Sequence, residues 1–528
     1  MTARDLLSVG IVGGPISRWD RPYSLPHLAG SLFYATVTIR MNSKYEAVIG
    51  LECHCQLLTH SKLFCSCSTN FGDSPNMNTC PVCLGLPGAL PVLNRVAVTM
   101  AIKAGLGLHC TINRESQWSR KNYFYPDLPK GYQISQYDKP ICEHGYIELS
   151  ETPTAGTRKK IGVQRIHMEE DAGKSIHEGL PDSNRNTSLD FNRSGTPLIE
   201  IVTAPDIRSS EEAHDYLSRL KQILEFLDVC DGNMEEGSLR CDANVSVRLK
   251  GAKKFGTRTE LKNINSFRFV QKAIDYEIDR QIDVIENGGR IVQETRLWNS
   301  AEERTVSMRS KEEAHDYRYF PDPDLPLLVL DAEWLKTVEQ SMSELPEVRR
   351  NRFVSEYALS EYDAGVLTMT KALADYFEQA AKISGQPKPA ANWIMGDLLR
   401  SYKEAGIDLK DLSASPVTPK MLADMILLEK KGTISGKMAK TVMEEMIQSG
   451  KDPQVIVQEK GLVQISDSGE IEKIVKKVID GNPQPVAQYK SGKTGTFGFL
   501  VGQVMKATQG RANPQAVNEL LKSMLEEN

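Results

Sequence analysis

The hydrophobic period of this chain changes once along its length, and that change limits what it can fold into. From Tyr45 to about Leu330 the dominant period is two, and beyond Pro326 it is helical. The clearest case is Ser238–Leu249, where Leu239, Cys241, Ala243, Val245, Val247 and Leu249 alternate with Ser238, Arg240, Asp242, Asn244, Ser246 and Arg248. Successive side chains of a strand point to opposite faces, so this segment has one dry face and one polar face. Similar strands are expected at Ala47–Leu57, Ile161–Met168, Pro197–Val202 and Thr257–Lys262, with helices at Ser210–Leu227 and Phe267–Asn287. Clean alternation belongs to antiparallel sheets covered on one side. The expected fold class is therefore α+β, with an antiparallel β-rich domain over residues 44–335. Beyond it, helical spacing recurs in Leu345–Tyr357, Asp363–Ile383, Ala390–Ala405, Thr418–Lys431, Ser435–Ser449 and Ile471–Ile479. That predicts a helical domain over 336–455 and a small tail over 456–528, with Gly481–Pro485 setting off Val486–Asn528 as the last unit.

Composition closes off several classes. The 64 Lys and Arg against 69 Asp and Glu leave a net charge of -5, so no global positive field attracts nucleic acid and any RNA contact must be local. The longest apolar stretch, Leu84–Leu108, is broken by Pro87, Pro91, Asn94, Arg95 and Lys103 and falls short of the roughly 20 apolar residues that span a bilayer. Ten cysteines in 528 residues are too dilute for a disulfide scaffold, and four of them crowd between Cys65 and Cys83. A reducing compartment, the cytoplasm, is expected. Residues 1–43 are rich in Gly, Pro, Ser and Arg, with Asp5 and Asp20 their only acids before Met41. They read as an organellar transit peptide or as a start placed too early. The many Gly and Pro, poor helix formers, favour Met41 as the start.

Chemistry concentrates in a few segments. Cys65-x-Cys67 is followed, after twelve residues, by Cys80-Pro-Val-Cys83. Two close pairs around a short loop can offer four thiolates in a tetrahedron, as in a closed structural zinc site. On Val48–Leu57, Glu52, His54 and Gln56 share one face, while Leu51, Cys53, Cys55 and Leu57 share the other. Glu52 and His54 suit a cation or a phosphate, or else form a surface ion pair. In His167-Met168-Glu169-Glu170-Asp171, strict alternation puts His167 and Glu169 on one face, whereas a turn at Asp171–Gly173 lets Glu170 swing inward. Crowded acids call for a cation, and oxygen ligands suit magnesium better than zinc; a solvated charged turn is the plain alternative. Glu260, between Arg258 and Lys262 on one strand face, is a further ligand or part of an ion-pair ladder. The loops Tyr123–Gln133 and Asn192–Thr196 are polar, and aromatics beside Lys130, with Tyr132 and Gln133, suit stacking on a nucleotide. No acid occurs between Asp480 and Glu519, so Lys490, Lys493, Lys506 and Arg511 make a locally basic patch suited to RNA phosphates. Gly492-Lys493-Thr494 is not a phosphate loop, because Ala487 stands where its first glycine would be.

Together these segments closely resemble the B-subunit family (GatB/GatE) of the bacterial-type aspartyl/glutamyl-tRNA amidotransferases. The likeness is carried by Ile49–Gln56, Cys80–Pro91, Asn122–Tyr137, Arg165–Ser175, Asp190–Pro205, Met234–Val247, Glu260–Phe267, Glu294–Trp298 and Tyr317–Pro326, and extends from Lys44 to the C-terminus. The family usually has valine at the positions of Cys53 and Cys55, a swap that keeps that face apolar. The resemblance implies a catalytic cradle, a helical domain and a YqeY-like tail that binds tRNA. It implies a carbon–nitrogen ligase that phosphorylates the side-chain carboxylate of Glu-tRNA(Gln) or Asp-tRNA(Asn) with ATP and magnesium, then replaces the phosphate with ammonia. The implied partners are an amidase, the A protein of the complex, and a small third protein, C, together forming a heterotrimer. No Gly-Gly-Ser-Ser-Gly segment of the amidase type occurs, so ammonia must come from the partner. The implied magnesium ligands are Glu52, His54, Glu170 and Glu260, with Glu169 the second choice for Glu170; Arg193, Lys130 and Arg240 are expected to stabilise phosphoryl charge. A zinc-stabilised RNA-binding scaffold and a stand-alone ligase of a small carboxylate are the competing readings.

Overall fold

The computed structural model describes residues 44–528 apart from 151–157, 178, 180–182, 309–316, 465–467, 509 and 527–528, so the expectations for residues 1–43 lie outside the described residues. Among the described residues nine strands form the main sheet: β1 (Tyr45–Gln56), β2 (Thr111–Ile112), β3 (Cys142–Glu148), β4 (Lys160–Glu170), β5 (Pro197–Thr203), β6 (Leu239–Leu249), β7 (Thr259–Lys262), β8 (Thr295–Asn299) and β9 (Arg304–Ser307). Their spatial order is β9-β8-β7-β6-β1-β5-β4-β3-β2. Every neighbouring pair is antiparallel except β7 and β8.

The alternation read from the sequence becomes two faces. On β1, Ala47, Ile49, Leu51, Cys53 and Cys55 are buried, while Glu46, Glu52, His54 and Gln56 are half-buried on the other side. Three helices cover the apolar face: α1 (Arg95–Gly107), α2 (Ser210–Phe226) and α3 (Phe267–Glu286), capped by the side chains of Asn94, Ser209 and Ser266. Each cap takes up backbone N–H groups that the first turn leaves unpaired. Their inward residues, among them Val98, Ala101, Leu217, Leu220, Val270 and Ile274, join β1, β4, β5 and β6 in one core. Burying each of the larger aliphatic side chains contributes about 1.5–3 kcal/mol, so the helices fix the sheet from behind and leave its polar face open.

Two further cores follow. The second gathers Phe353, Tyr376, Phe377, Leu398, Tyr402, Met425 and Met446, and takes in Phe226 from the end of α2. Its helices largely follow the expected bounds, but it also takes in Ile456 and Val457 of the helix Pro453–Glu459, so the expected tail boundary at 456 falls inside this core, and two expected helices differ. The expected Asp363–Ile383 helix is two, Glu361–Leu367 and Lys371–Ser384, because the Thr370 side chain caps the second. The expected Ala390–Ala405 helix contains a π-helical turn at Ile394–Leu398. The third core joins Ile471, Val475 and Val478 to Leu500, Val504, Val517, Leu521 and Leu525. The expected break at Gly481–Pro485 is therefore only a turn between Ser468–Gly481 and Pro483–Lys490: the helix before it packs with those after it. No helix among the described residues is long and apolar enough to cross a membrane.

Helix α1 meets the sheet tightly at Gly105, where a Cβ would collide with Cys142 Sγ and press on Ile112 Cδ1. Gly105→Ala is expected to lower stability by about 1–2 kcal/mol net, an overpacking cost of about 2–3 kcal/mol outweighing the roughly 1 kcal/mol gained in helix propensity. Thermal denaturation of the two proteins checks this, and an unchanged or raised midpoint would contradict it.

Candidate functional site

Directly opposed residues of paired strands share a face, so the polar face can be read row by row from the register. His54 on β1 lies opposite Glu200 on β5 and Arg240 on β6, and Glu200 lies opposite His167 on β4. One row therefore runs Arg240, His54, Glu200, His167. Glu200 Oε2 receives both imidazoles, at 3.4 Å from His54 Nε2 and 3.2 Å from His167 Nε2. Glu169, one step along β4, approaches His54 Nε2 at 3.6 Å and His167 Nε2 at 3.9 Å. Burial opposes charge here, yet His167 and His54 hold the Glu200 carboxyl well below its usual range. For His54, burial is likewise outweighed by Glu200 and Glu169, which raise it.

The next rows are acidic. Glu52 lies opposite Asp242, and Glu260 opposite Asn244. Asn244 Nδ2 donates to Glu52 Oε1 at 2.9 Å, Thr295 Oγ1 donates to Glu260 Oε2 at 2.6 Å, and Lys262 Nζ sits 3.1 Å from Asp242 and 3.2 Å from Glu260. Burial, then Glu200, Glu260 and Asp242, push the Glu52 carboxyl up. At the opposite end, Asp171 accepts from Gln56 Nε2 at 2.7 Å and Arg240 Nη2 at 2.9 Å, with Arg193 Nε 3.7 Å away. Although burial resists it, Arg240 and Arg193 hold Asp171 below its usual range. Arg193 also donates to the carbonyls of Ala172 and Gly173, at 3.0 and 2.5 Å.

The structure brings Glu52, His54, Glu260, Arg193 and Arg240 to this face, but not Glu170. Strand β4 stays in regular register with β5 from Ile166 through Glu170, which lies opposite Pro197, so the expected inward swing does not occur. Glu170 shares a side with Met168, accepts from Lys130 Nζ, and accepts from the Ile134 N–H at 3.0 Å. Lys130 is thereby committed to Glu170. Gln133 Nε2 donates to the Glu170 carbonyl at 2.7 Å and its Oε1 accepts from the Tyr123 hydroxyl at 3.0 Å, while Tyr132 carries the Arg120 guanidinium 4.3 Å above its ring. These two support the loop rather than present a free surface to a nucleotide.

Sequence reasoning did not single out Glu200 or Asn244, and it gave His167 and Asp171 no individual part to play. Glu200 had a signal: it is the one acid in the apolar run Leu198-Ile199-Glu200-Ile201-Val202. It also missed an aromatic wall in which Tyr137 and Tyr319 stack at 4.0 Å and Tyr123 and Tyr317 meet edge to face. Burial raises the phenols of Tyr319 and Tyr123, and the nearness of Glu169 raises both further.

Two donor sets fit metals. Ligand atoms of His54, Glu169 and Glu200 lie within 4.8 Å of one another. Glu169 Oε2 and His167 Nδ1 are buried with no hydrogen-bond partner among the described residues. A divalent cation would take up that oxygen, and the two carboxylates of the set, Glu169 and Glu200, are ligands of the kind that suits magnesium or manganese. The sulfurs of Cys65, Cys67, Cys80 and Cys83 also lie within 4.8 Å of one another, with Cys80 and Cys83 at 3.9 Å. Zinc–sulfur bonds of about 2.3 Å at tetrahedral angles separate sulfurs by about 3.8 Å, so the fit is close. The Cys83 thiol is drawn down to about 4 by Cys65, against burial, with help from the Cys80 N–H and Lys62. In the tail, Lys490, Lys493 and Lys506 are exposed and Arg511 is half-buried.

A half-covered cradle with a cluster of acids and imidazoles on its polar face, joined to two helical units, has the build of a catalytic domain with a helical C-terminal region. Residues 47–336 match the family model described as the GatB/GatE catalytic domain, and residues 375–525 match the GatB domain. The chain is 58% identical over 482 residues to the B subunit of the aspartyl/glutamyl-tRNA(Asn/Gln) amidotransferase of Carboxydothermus hydrogenoformans, covering 91% of this chain and 99% of that protein. It is 58% identical to the same protein of Geotalea daltonii (92% and 100% covered) and 55% identical to that of Thermodesulfovibrio yellowstonii (92% and 100% covered). The chain belongs to the GatB/GatE family of amidotransferase B subunits.

Protons compete with a cation for His54 and Glu52, and both hold them to higher pH than usual. Manganese affinity, followed by electron paramagnetic resonance, is expected to rise with pH through and above the ordinary histidine value of about 6.5. At fixed pH, Glu169→Ala is expected to weaken it at least about tenfold and Glu170→Ala to leave it within about twofold. The reverse order would return the ligand role to Glu170.

Proposed function

We propose that this chain is the transamidating component of a tRNA-dependent amidotransferase, acting on Glu-tRNA(Gln), Asp-tRNA(Asn) or both. The observation that carries this is the pairing of opposite needs on one polar face: a buried Glu169 oxygen without a hydrogen bond, which suits a cation, and a buried Arg240 Nε without one, which suits an anion. A buried polar group without a partner costs about 1–3 kcal/mol unless a ligand supplies one. Metal-bound ATP supplies both charges.

A carboxylate is a poor acyl donor because its leaving group would be oxide, and phosphorylation by ATP provides a better one. A bound magnesium would neutralise charge as the phosphoryl group moves. In this chain His54, Glu169 and Glu200 would hold that ion, with Glu52 and Glu260 in the adjoining rows. Arg240 and Arg193, fixed by Asp171 at the end of the same face, would meet the phosphoryl oxygens. Beside Glu52 a cleft of about 460 Å³, bordered by Asn244, Phe255, Arg258 and Gln293, offers room for the aminoacyl end or the nucleotide. The tyrosine wall over Glu169 limits water, against which an acyl phosphate must be protected. Ammonia would come from the amidase partner, with the small third protein completing the heterotrimer. The four-cysteine loop would hold structural zinc, and its free thiols suit the cytoplasm.

The tail unit would bind the tRNA body through Lys490, Lys493, Lys506 and Arg511. Because Ser468–Gly481 shares the tail's core, the clean truncation ends at Gln464 rather than at Gly481. In the reconstituted complex this truncation is expected to weaken tRNA binding about tenfold or more, flatten its salt dependence and spare glutamine hydrolysis. Lost hydrolysis with unchanged tRNA affinity would overturn the assignment of the tail.

A further inference from the structure

Lys62 is fully buried, outside the cation cluster and outside the four cysteines. Its ammonium has three hydrogens to place and three acceptors around it: Asn78 O at 2.6 Å, Phe191 O at 3.2 Å and Cys83 Sγ at 3.6 Å. A buried lysine is retained only when its donors and charge are satisfied. Those acceptors belong to two different loops. Asn78 and Cys83 lie on the cysteine loop, and Phe191 lies two residues before Arg193.

The two loops are joined all along this contact. The Asn78 N–H donates to Asn192 Oδ1 at 2.8 Å, the Asn76 N–H to Asp190 Oδ1 at 3.0 Å, and the Phe191 N–H to Asn76 Oδ1 at 2.8 Å. Ser194 Oγ donates to the Cys83 carbonyl at 3.3 Å, and the Leu63 N–H donates to Gly195 O at 2.9 Å. Gly195 has φ +85°, and a Cβ there would touch Cys83 Cβ and Lys62 Cδ at 3.4 Å. The Gly195 N–H in turn donates to Asp171 O at 2.9 Å, the residue that holds Arg193 and Arg240.

We propose that Lys62 is a positioning residue that couples the metal held by Cys65, Cys67, Cys80 and Cys83 to the Arg193 loop, so that occupancy of the cysteine site sets where Arg193 stands on the catalytic face. The proposal rests on the reading of the cysteine cluster as a zinc site. Four thiolates around a divalent ion carry two net negative charges, and Lys62 supplies one compensating positive charge and a hydrogen bond to sulfur. Such outer partners typically change metal affinity by about 10–100-fold. The same ammonium pins Phe191, so loss of the metal frees Cys83 and slackens the chain that leads to Arg193.

The test uses the full chain, with zinc competition against a chromogenic chelator and hydrogen–deuterium exchange of residues 188–196. In the unaltered protein, stripping zinc is expected to speed exchange in 188–196 and to leave Ser210–Phe226, on the far face of the sheet, unchanged. Lys62→Met, of similar length and uncharged, is expected to bind zinc about 10–100-fold more weakly and to show the faster exchange with zinc bound. With cobalt in place of zinc, the sulfur-to-cobalt charge-transfer band is expected to move to lower energy in Lys62→Met, since the sulfur loses its donor. Zinc uptake with an unresponsive 188–196 segment in the unaltered protein would overturn the coupling alone, even if the variant does not fold. A variant equal to the unaltered protein in affinity and exchange would do the same. Failure of the unaltered chain to take up zinc would overturn the zinc reading together with the coupling.

Discussion

The rest of the structure depends on the burial of one face of β1. Ile49, Leu51, Cys53 and Cys55 are sealed under α1, α2 and α3, and because strand side chains alternate, that seal forces Glu52, His54 and Gln56 to the other side. A slip of one residue would send the acids and the imidazole into the hydrocarbon core. The register of the neighbours then follows: Glu200 and Arg240 can only stand opposite His54, and Asp242 opposite Glu52. Packing on one face thus specifies electrostatics on the other.

That electrostatic arrangement is unfavourable by itself. Glu52, Glu169, Glu200, Asp242 and Glu260 crowd on a few strands, and the protein answers with His54, His167, Lys262, Arg240 and Arg193 rather than with burial alone. The answer is incomplete at Glu169 Oε2 and Arg240 Nε, which are buried without a hydrogen bond among the described residues. Incomplete pairing of both signs at one place is what a site needs if it must bind an ion and a phosphate and release them after each turnover. Among the described residues, the helical units contribute none to this cluster.

Much of this was legible in the chain. Period-two alternation marked β1, β4, β5, β6 and β7 nearly to the residue, since a half-covered strand writes its environment into every second position. The same alternation placed His167 and Glu169 together. The family resemblance moved the choice to Glu170, and the structure follows the alternation, because β4 stays extended until Asp171 begins the turn. Other features were not legible because they arise from contacts distant in sequence. The tyrosine wall joins Tyr123 and Tyr137 to Tyr317 and Tyr319. The break that sets off Val486–Asn528 was misread for a related reason: Gly481–Pro485 has the composition of a linker, but only the packing of Ile471 and Val475 against Leu521 decides which unit the preceding helix belongs to.

The central claim is that the polar face of the cradle activates the carboxylate, independently of how ammonia is delivered. The most direct measurement is amide formation on Glu-tRNA(Gln) by the reconstituted complex with ATP and free ammonium, which bypasses the amidase, comparing the unaltered chain with Glu169→Gln and Glu200→Gln. Both variants are expected to lose activity about a hundredfold or more while tRNA affinity is kept. Full activity of both with ammonium would contradict the claim.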